Sequence, residues 1–327
     1  MLLTGAIIVL ALHVLLILIT GGYTVPGLGI AAPTIHPPLM LLLLLVIAWI
    51  PLNDRRLSQE VSSGHLGTIV FSASLLIFIS NGELLTSGDT LPARYLPLSI
   101  LREGNFDLDE FPSLYADGIP YYLRFAQGHY VSDYPVGAAL LALPFYVPSV
   151  LGGVSDASPF VGQLEKLSAA TIVALSAALL YVTVRRITDP RMSLWIVTAY
   201  ALGSSSFSTS SQLLWQHGPS QLAITTALYC LVRGLAERRW VALAGFPLAF
   251  AVIARPTNAF IVLALVAYVV LHHRRQAWGL LLSGLPPVLF HLWYNARYFD
   301  DPLRSQFPLT SASLWTTPVW EGLGDFS

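Results

Sequence analysis

The chain has 327 residues, 55% of them hydrophobic and 11% charged, with a mean hydropathy of +0.66. Soluble domains carry about 25% charged residues, so this composition excludes an ordinary soluble globular protein. The 17 basic and 18 acidic residues leave a net charge of −1, with no basic excess for a nucleic-acid backbone, and the single cysteine, Cys230, excludes an internal disulfide and a cysteine-rich zinc cluster.

A spanning helix needs about 20 apolar residues to cross the hydrocarbon core. Hydropathy on that scale predicts an all-α polytopic membrane protein with about nine transmembrane helices. In chain order they are Met1 to Thr20, Pro38 to Leu52, His65 to Ser80, Leu167 to Val184, Ser193 to Thr209, Gly218 to Val232, Trp240 to Ala254, Thr257 to Leu271 and Ala277 to Tyr294. The first run lacks the positively charged start of a signal peptide and is too long for one, so it reads as a helix.

Arginines orient the bundle, because basic residues accumulate in short cytoplasmic loops. Arg55 and Arg56, then Arg185, Arg186 and Arg191, then Arg233, Arg238 and Arg239, then Arg274 and Arg275 fall in four short loops. Those loops are expected in the cytoplasm of an inner-membrane protein, with the N-terminus. Between the first two clusters, Asn81 to Lys166 holds ten of the eighteen acids and is expected on the extracytoplasmic face. Its apolar run, Val136 to Gly153, is interrupted by Pro144 and Pro148, and as a span it would invert every later arginine cluster. It therefore reads as re-entrant or interfacial. The chain divides into N-terminal transmembrane helices (1–80), an external loop with juxtamembrane and re-entrant helices (81–166), a transmembrane bundle (167–294) and an external C-terminal segment (295–327).

Within the loop, Gly88, Asp89 and Thr90 precede Leu91 to Glu103, where Leu91, Tyr95, Leu98 and Leu101 recur at helical spacing. This predicts an amphipathic helix along the membrane surface, kinked at Pro97, with Arg94 and Arg102 facing water or headgroups. Asp89 at its start suits either a helix cap or a reactive carboxylate. Asp107, Asp109 and Glu110 fit a solvated acidic turn or a divalent cation such as Mg²⁺ or Ca²⁺. His129, Tyr130, Ser132, Asp133, Tyr134 and Pro135 precede the re-entrant run. Acids and aromatics at a membrane boundary suit a sugar and its phosphate carrier, although the tyrosines also suit an interfacial belt. On the same face fall Leu214 to Pro219 with His217, Arg255 with Pro256, and Tyr294, Asn295 and Arg297. An arginine in a short external turn runs against the charge bias, so Arg255 either has a partner or ligand or snorkels to the interface.

In their order, Gly88-Asp89-Thr90, Arg94-Tyr95, Arg102-Glu103-Gly104, Tyr130 to Pro135 with Gly137, Leu214 to Pro219, Arg255-Pro256 and Tyr294-Asn295 with Arg297 resemble the GT-C superfamily. These are polytopic, polyprenyl-phosphate-dependent glycosyltransferases, and the likeness is to the bacterial branch related to lipid A and protein O-mannosyl sugar transferases. The resemblance implies inverting transfer of a sugar from a polyprenyl-phosphate carrier to a glycan, lipid or protein acceptor at the outer face, with Asp89 as general base. It places Ser132 to Pro135 beside the donor phosphate. Relatives often have a lysine before that proline, and here Tyr134 stands in its place, so Arg94, Arg102, Lys166 or Arg255 is expected to supply the positive charge. Relatives also commonly have eleven or more spans, which implies a chain truncated at its C-terminus or a compact variant. The alternative is a non-catalytic protein on the same scaffold, either a lipid-linked sugar transporter or an inactive relic. A transporter is expected to carry mid-span polar residues and an internal repeat, neither of which is evident.

Overall fold

The computed structural model describes residues 2–25, 30–53 and 63–303, and it is mostly helical with almost no sheet. The elements are α1 (Leu2–Thr20), β1 (Tyr23–Val25), β2 (Ile30–Ala32), α2 (His36–Asn53), α3 (Ser63–Ile79), α4 (Leu91–Arg102), β3 (Leu123–Ala126), β4 (His129–Ser132), α5 (Gly137–Leu151) and α6 (Phe160–Val184). They continue with α7 (Pro190–Leu202), α8 (His217–Gly234), α9 (Arg239–Leu243), α10 (Gly245–Ala254), α11 (Ala259–His272) and α12 (Arg274–Phe299). The Arg55–Arg56 cluster and the C-terminal segment beyond Leu303 lie outside the described residues.

Two helices, Leu3–Thr20 and Phe160–Val184, are long and apolar enough to cross a membrane. Nine spans are therefore not established; His36–Ile50, His65–Ile79, Arg239–Ala254 and Pro256–His272 are apolar but shorter. The run expected at Ser193 to Thr209 stops as α-helix at Leu202 and continues as a π-helical turn over Ser206–Ser210. Serine and threonine hydroxyls compete for backbone groups there: Ser204 Oγ donates to the Tyr200 carbonyl and Ser211 Oγ to that of Phe207. Helix α6 begins at Phe160, seven residues before the expected Leu167, so Lys166 lies inside it. Helix α12 runs through Pro286 and Pro287 to Phe299, taking in Asn295 and Arg297, and ends where Asp300 turns left-handed (φ 56°).

Hydrogen bonds fix which helix ends share a side. The Ile35 amide donates to Gln163 Oε1 (3.0 Å), joining the starts of α2 and α6. Lys166 Nζ bonds Asn81 (3.1 Å) and Gln212, joining the end of α3 to the starts of α6 and α8. His217 and Arg255, 2.7 Å apart, join the start of α8 to the end of α10. The Phe106 amide donates to the Tyr298 hydroxyl (2.8 Å) near the end of α12. At the opposite end, Trp49 of α2 bonds Thr4 of α1 (3.1 Å), and the Arg186 guanidinium lies 5.5 Å from the Tyr229 ring centroid. The helices thus run up and down, with residues 81–159 at one end and the eight described arginines of the predicted cytoplasmic loops at the other.

Helix α5 lies across the loop end. Gly137 at its start packs on Ala254 at the end of α10, where a Cβ would sit 2.8 Å from the Ala254 Cα. Gly152, just past its end, packs on the Ile19 carbonyl near the end of α1, and a Cβ there would collide with it. Ser149 Oγ donates to the Leu18 carbonyl. Both ends of α5 therefore touch helix ends on one side of the bundle. The buried side of α4 is formed by Pro92, Leu96, Leu98 and Ser99, rotated about one residue from the expected stripe of Leu91, Tyr95, Leu98 and Leu101, which apart from Leu98 is only partly buried. Pro97 is accommodated within the helix. A main core surrounds α6, and a smaller one centred on Ala227, Leu231, Val241 and Leu248 joins α8 to α12.

With Cys230→Ser as background, Asp117→Cys and Ser155→Cys, on either side of α5, are expected to react with a membrane-impermeant thiol reagent from the same side. Arg191→Cys is expected to react only from the other. Labelling of Asp117→Cys and Ser155→Cys from opposite sides makes α5 a span.

Candidate functional site

Asp89 stands in a single 3₁₀ turn, Gly88–Thr90, that leads into α4. Its Oδ1 accepts hydrogen bonds from the hydroxyls of Tyr121 (2.8 Å) and Tyr134 (2.6 Å). Gly88 is what allows this, since a Cβ there would collide with the Tyr121 hydroxyl. Tyr134 is presented by a tight turn in which Ser132 Oγ accepts from the Tyr134 amide (3.0 Å) and donates to its carbonyl (2.9 Å). Burial, and then the bond to Asp89, push the Tyr134 hydroxyl well above its ordinary range, and the Asp89 bond also raises Tyr121. Both phenols therefore stay protonated and donate throughout neutral pH.

Behind Asp89 lies a polar cluster centred on Glu165, a residue the sequence reading passed over. Glu165 is fully buried and pairs with Arg94 Nε. It also accepts from the Leu214 amide (3.3 Å), while the Thr90 hydroxyl donates to the Ser87 carbonyl (3.2 Å) at the turn before α4. Arg94 is completed by the Leu85 carbonyl at 3.0 Å and, with Tyr95, lines a cavity of about 250 Å³. Next in sequence, Lys166 is 1% exposed and is held by the amides of Asn81 and Gln212, which also bond each other (3.0 Å). The signal for this cluster was present in the sequence as an adjacent Glu-Lys pair at the head of a long apolar run.

A second group forms on the hairpin of β3 and β4, in which Leu123 faces Ser132 and the two-residue turn has positive φ at Gln127 (50°) and Gly128 (85°). That conformation matches strand twist and places His129 at the first position after the turn. His129 Nδ1 lies 2.8 Å from Asp109 and 3.5 Å from Asp107. One ligand atom from each of the three lies within 4.8 Å of the others. An imidazole beside two carboxylates suits Zn²⁺ or Mn²⁺ better than the Mg²⁺ or Ca²⁺ expected from carboxylate spacing. Burial pushes the Asp107 carboxyl up, and the charges of Asp109 and Glu110 add to the shift.

The remaining expected residues share this end of the bundle without touching Asp89. Asp133 is taken by Arg124 in a forked pair (2.8 and 3.2 Å), which the sequence reading also missed. Arg102 bonds the Val154 carbonyl and lies 3.6 Å from Asp156. Tyr95 packs on Phe111, His217 pairs with Arg255, buried Asn295 bonds the Pro302 carbonyl (3.3 Å), and Arg297 lies over the Tyr298 ring. The structure thus brings Asp89, Tyr134, Arg94 and Lys166 into one connected set and leaves His129, Arg102, Arg255, Asn295 and Arg297 around it.

These features define a helical membrane protein with a polar site at one end of its bundle. Residues 166–293 match the model of the dolichyl-phosphate-mannose-protein mannosyltransferase family, and the match supports a GT-C glycosyltransferase superfamily member. It begins at Lys166, inside α6, and runs through most of α12, leaving Asp89 and the rest of residues 81–159 outside. No curated protein and no solved structure matches the chain.

Glu165→Gln leaves Arg94 without its carboxylate and is expected to cost about 3 kcal/mol, read from thermal unfolding in detergent, with the Arg94→Gln/Glu165→Gln pair losing less than the sum of the single changes. Asp107 gives a pH test. A raised carboxyl pKa in the fold favours the protonated form, so its contribution is full below the ordinary carboxylate range and is lost as pH rises through the raised value. Asp107→Asn is expected to unfold at a higher temperature than wild type at pH 7.5, and the gain is expected to vanish in acid.

Proposed function

We propose that this protein is a membrane glycosyltransferase that moves a sugar from a polyprenyl-phosphate carrier to an extracytoplasmic acceptor with inversion, Asp89 acting as general base. What supports the reading is one connected polar set at the loop end of the bundle. Asp89 is oriented by two phenol hydroxyls, Arg94 on the helix that follows it pairs with Glu165, and Lys166 beside Glu165 carries a buried positive charge held by neutral amides. The family match, a lipid-phosphate-sugar family, starts at that lysine.

In the proposed step the acceptor hydroxyl gives its proton to Asp89 as its oxygen bonds the anomeric carbon, and the bond from that carbon to the carrier phosphate breaks. The carrier leaves as a phosphate anion with the bonding electron pair. Such a base contributes roughly 10² to 10⁴ in rate. Tyr121 and Tyr134 hold one carboxylate oxygen and leave the other for the acceptor. Arg94 is committed to Glu165, so charge for the leaving phosphate falls to Lys166, with Arg255 nearby on the same face. The reading makes the bilayer, the lipid-linked donor and a glycan, lipid or protein acceptor its partners.

Purified protein with a panel of radiolabelled polyprenyl-phosphate sugars and membrane extract as acceptor tests this directly. Asp89→Asn is expected to lower transfer by at least about 10²-fold at unchanged folded yield, and Tyr134→Phe by a smaller factor. Wild-type transfer by Asp89→Asn removes Asp89 as the base. If wild type turns over no donor but moves labelled lipid-linked sugar across vesicles, the scaffold is a transporter.

A further inference from the structure

At the end opposite Asp89, the turn between α8 and α9 and the junction of α11 with α12 enclose a cavity of about 440 Å³. Ligand sites commonly measure about 300–1,000 Å³. Arg238, Arg274, Arg275, His272 and His273 line it, and no carboxylate does among the described residues. The acid closest in sequence, Glu237, is occupied, 2.6 Å from Arg239 and 3.6 Å from Arg233. The side chains of Arg238, Arg274 and Arg275 have no ion pair or hydrogen bond among the described residues. Topology explains why arginines occur in both loops, but it does not explain why the two loops converge on one concave space that no carboxylate lines among the described residues.

The cavity also opens beside apolar surface at the arginine end of the bundle. Leu271 lines it and is 67% exposed, and Leu263 and Val270 of α11 are likewise bare. Trp278, one turn into α12, is 74% exposed, as befits an indole at the headgroup level.

We propose that this cavity binds the phosphate of an anionic phospholipid from the arginine-side leaflet, its acyl chains lying along the exposed side of α11. Guanidinium groups from two loops fork onto the phosphate oxygens, and α11 supplies the apolar track. The inference requires that the bundle lie in a bilayer and is independent of the transferase reading.

The test uses the full-length protein in neutral detergent with added phosphatidylglycerol or phosphatidylcholine, bound lipid being counted by native mass spectrometry. Wild type is expected to retain phosphatidylglycerol and not phosphatidylcholine, and Arg238→Gln/Arg274→Gln to bind phosphatidylglycerol roughly thirtyfold more weakly. The charge-matched control Arg186→Gln/Arg191→Gln, outside the cavity, is expected to bind as wild type does. Inorganic phosphate or glycerol phosphate at millimolar concentration distinguishes the source of the phosphate: displacement of the lipid by either makes this a soluble-phosphate site and overturns the lipid assignment. Equal retention of the two lipids by wild type, which needs no variant to fold, or equal loss in both double variants, also overturns it.

Discussion

Glu165 is a carboxylate with no exposure to water, and two stretches of chain depend on it. Arg94 brings α4, with the turn that carries Asp89 directly before it, and the Leu214 amide brings the segment before α8. A buried charge is tolerated only when it is paired and hydrogen-bonded, so neither can leave without exposing an uncompensated group. That constraint joins α4 and the segment before α8 to α6, and it fixes the stretch between α3 and α6, with its α4 helix, as a wall of the site.

The two ends of the bundle have opposite chemical characters, and the same helices serve both. At one end acids, phenols and amides are knitted together, with Lys166 buried among neutral partners. At the other, among the described residues, arginines outnumber their carboxylate partners and surround open space. Helix α5 closes the first end by lying across it, held where Gly137 and Gly152 let backbone meet backbone without side chains between. Small residues at such crossings permit close approach that larger side chains would forbid.

Much of this was legible before any coordinates. The arginine clusters and the acid-rich stretch separated the two ends of the bundle, because charge bias is a local property of the chain. Asp89, Arg94, Tyr134 and Lys166 were recognised individually. Glu165 was not, because an acid beside a lysine at the edge of an apolar run reads as the end of a loop until its partner, 71 residues away, is known. Arg124 was missed for a similar reason: its bond to Asp133 depends on the β3–β4 hairpin, whose short strands carry a weak alternation signal. Lys166 was assigned to the loop because helix boundaries follow caps and partners more than hydropathy.

The sequence by itself determined the class of protein, the polarity of the bundle and which residue types gather on each side, since these follow from transfer free energies and charge counts along the chain. Tertiary structure alone decided which carboxylate is held by phenols, which arginine is committed to a buried acid, and which arginines gather around a cavity. Those outcomes rest on distances between residues far apart in sequence, and on a competition for hydrogen-bond partners that is settled only when the helix ends meet.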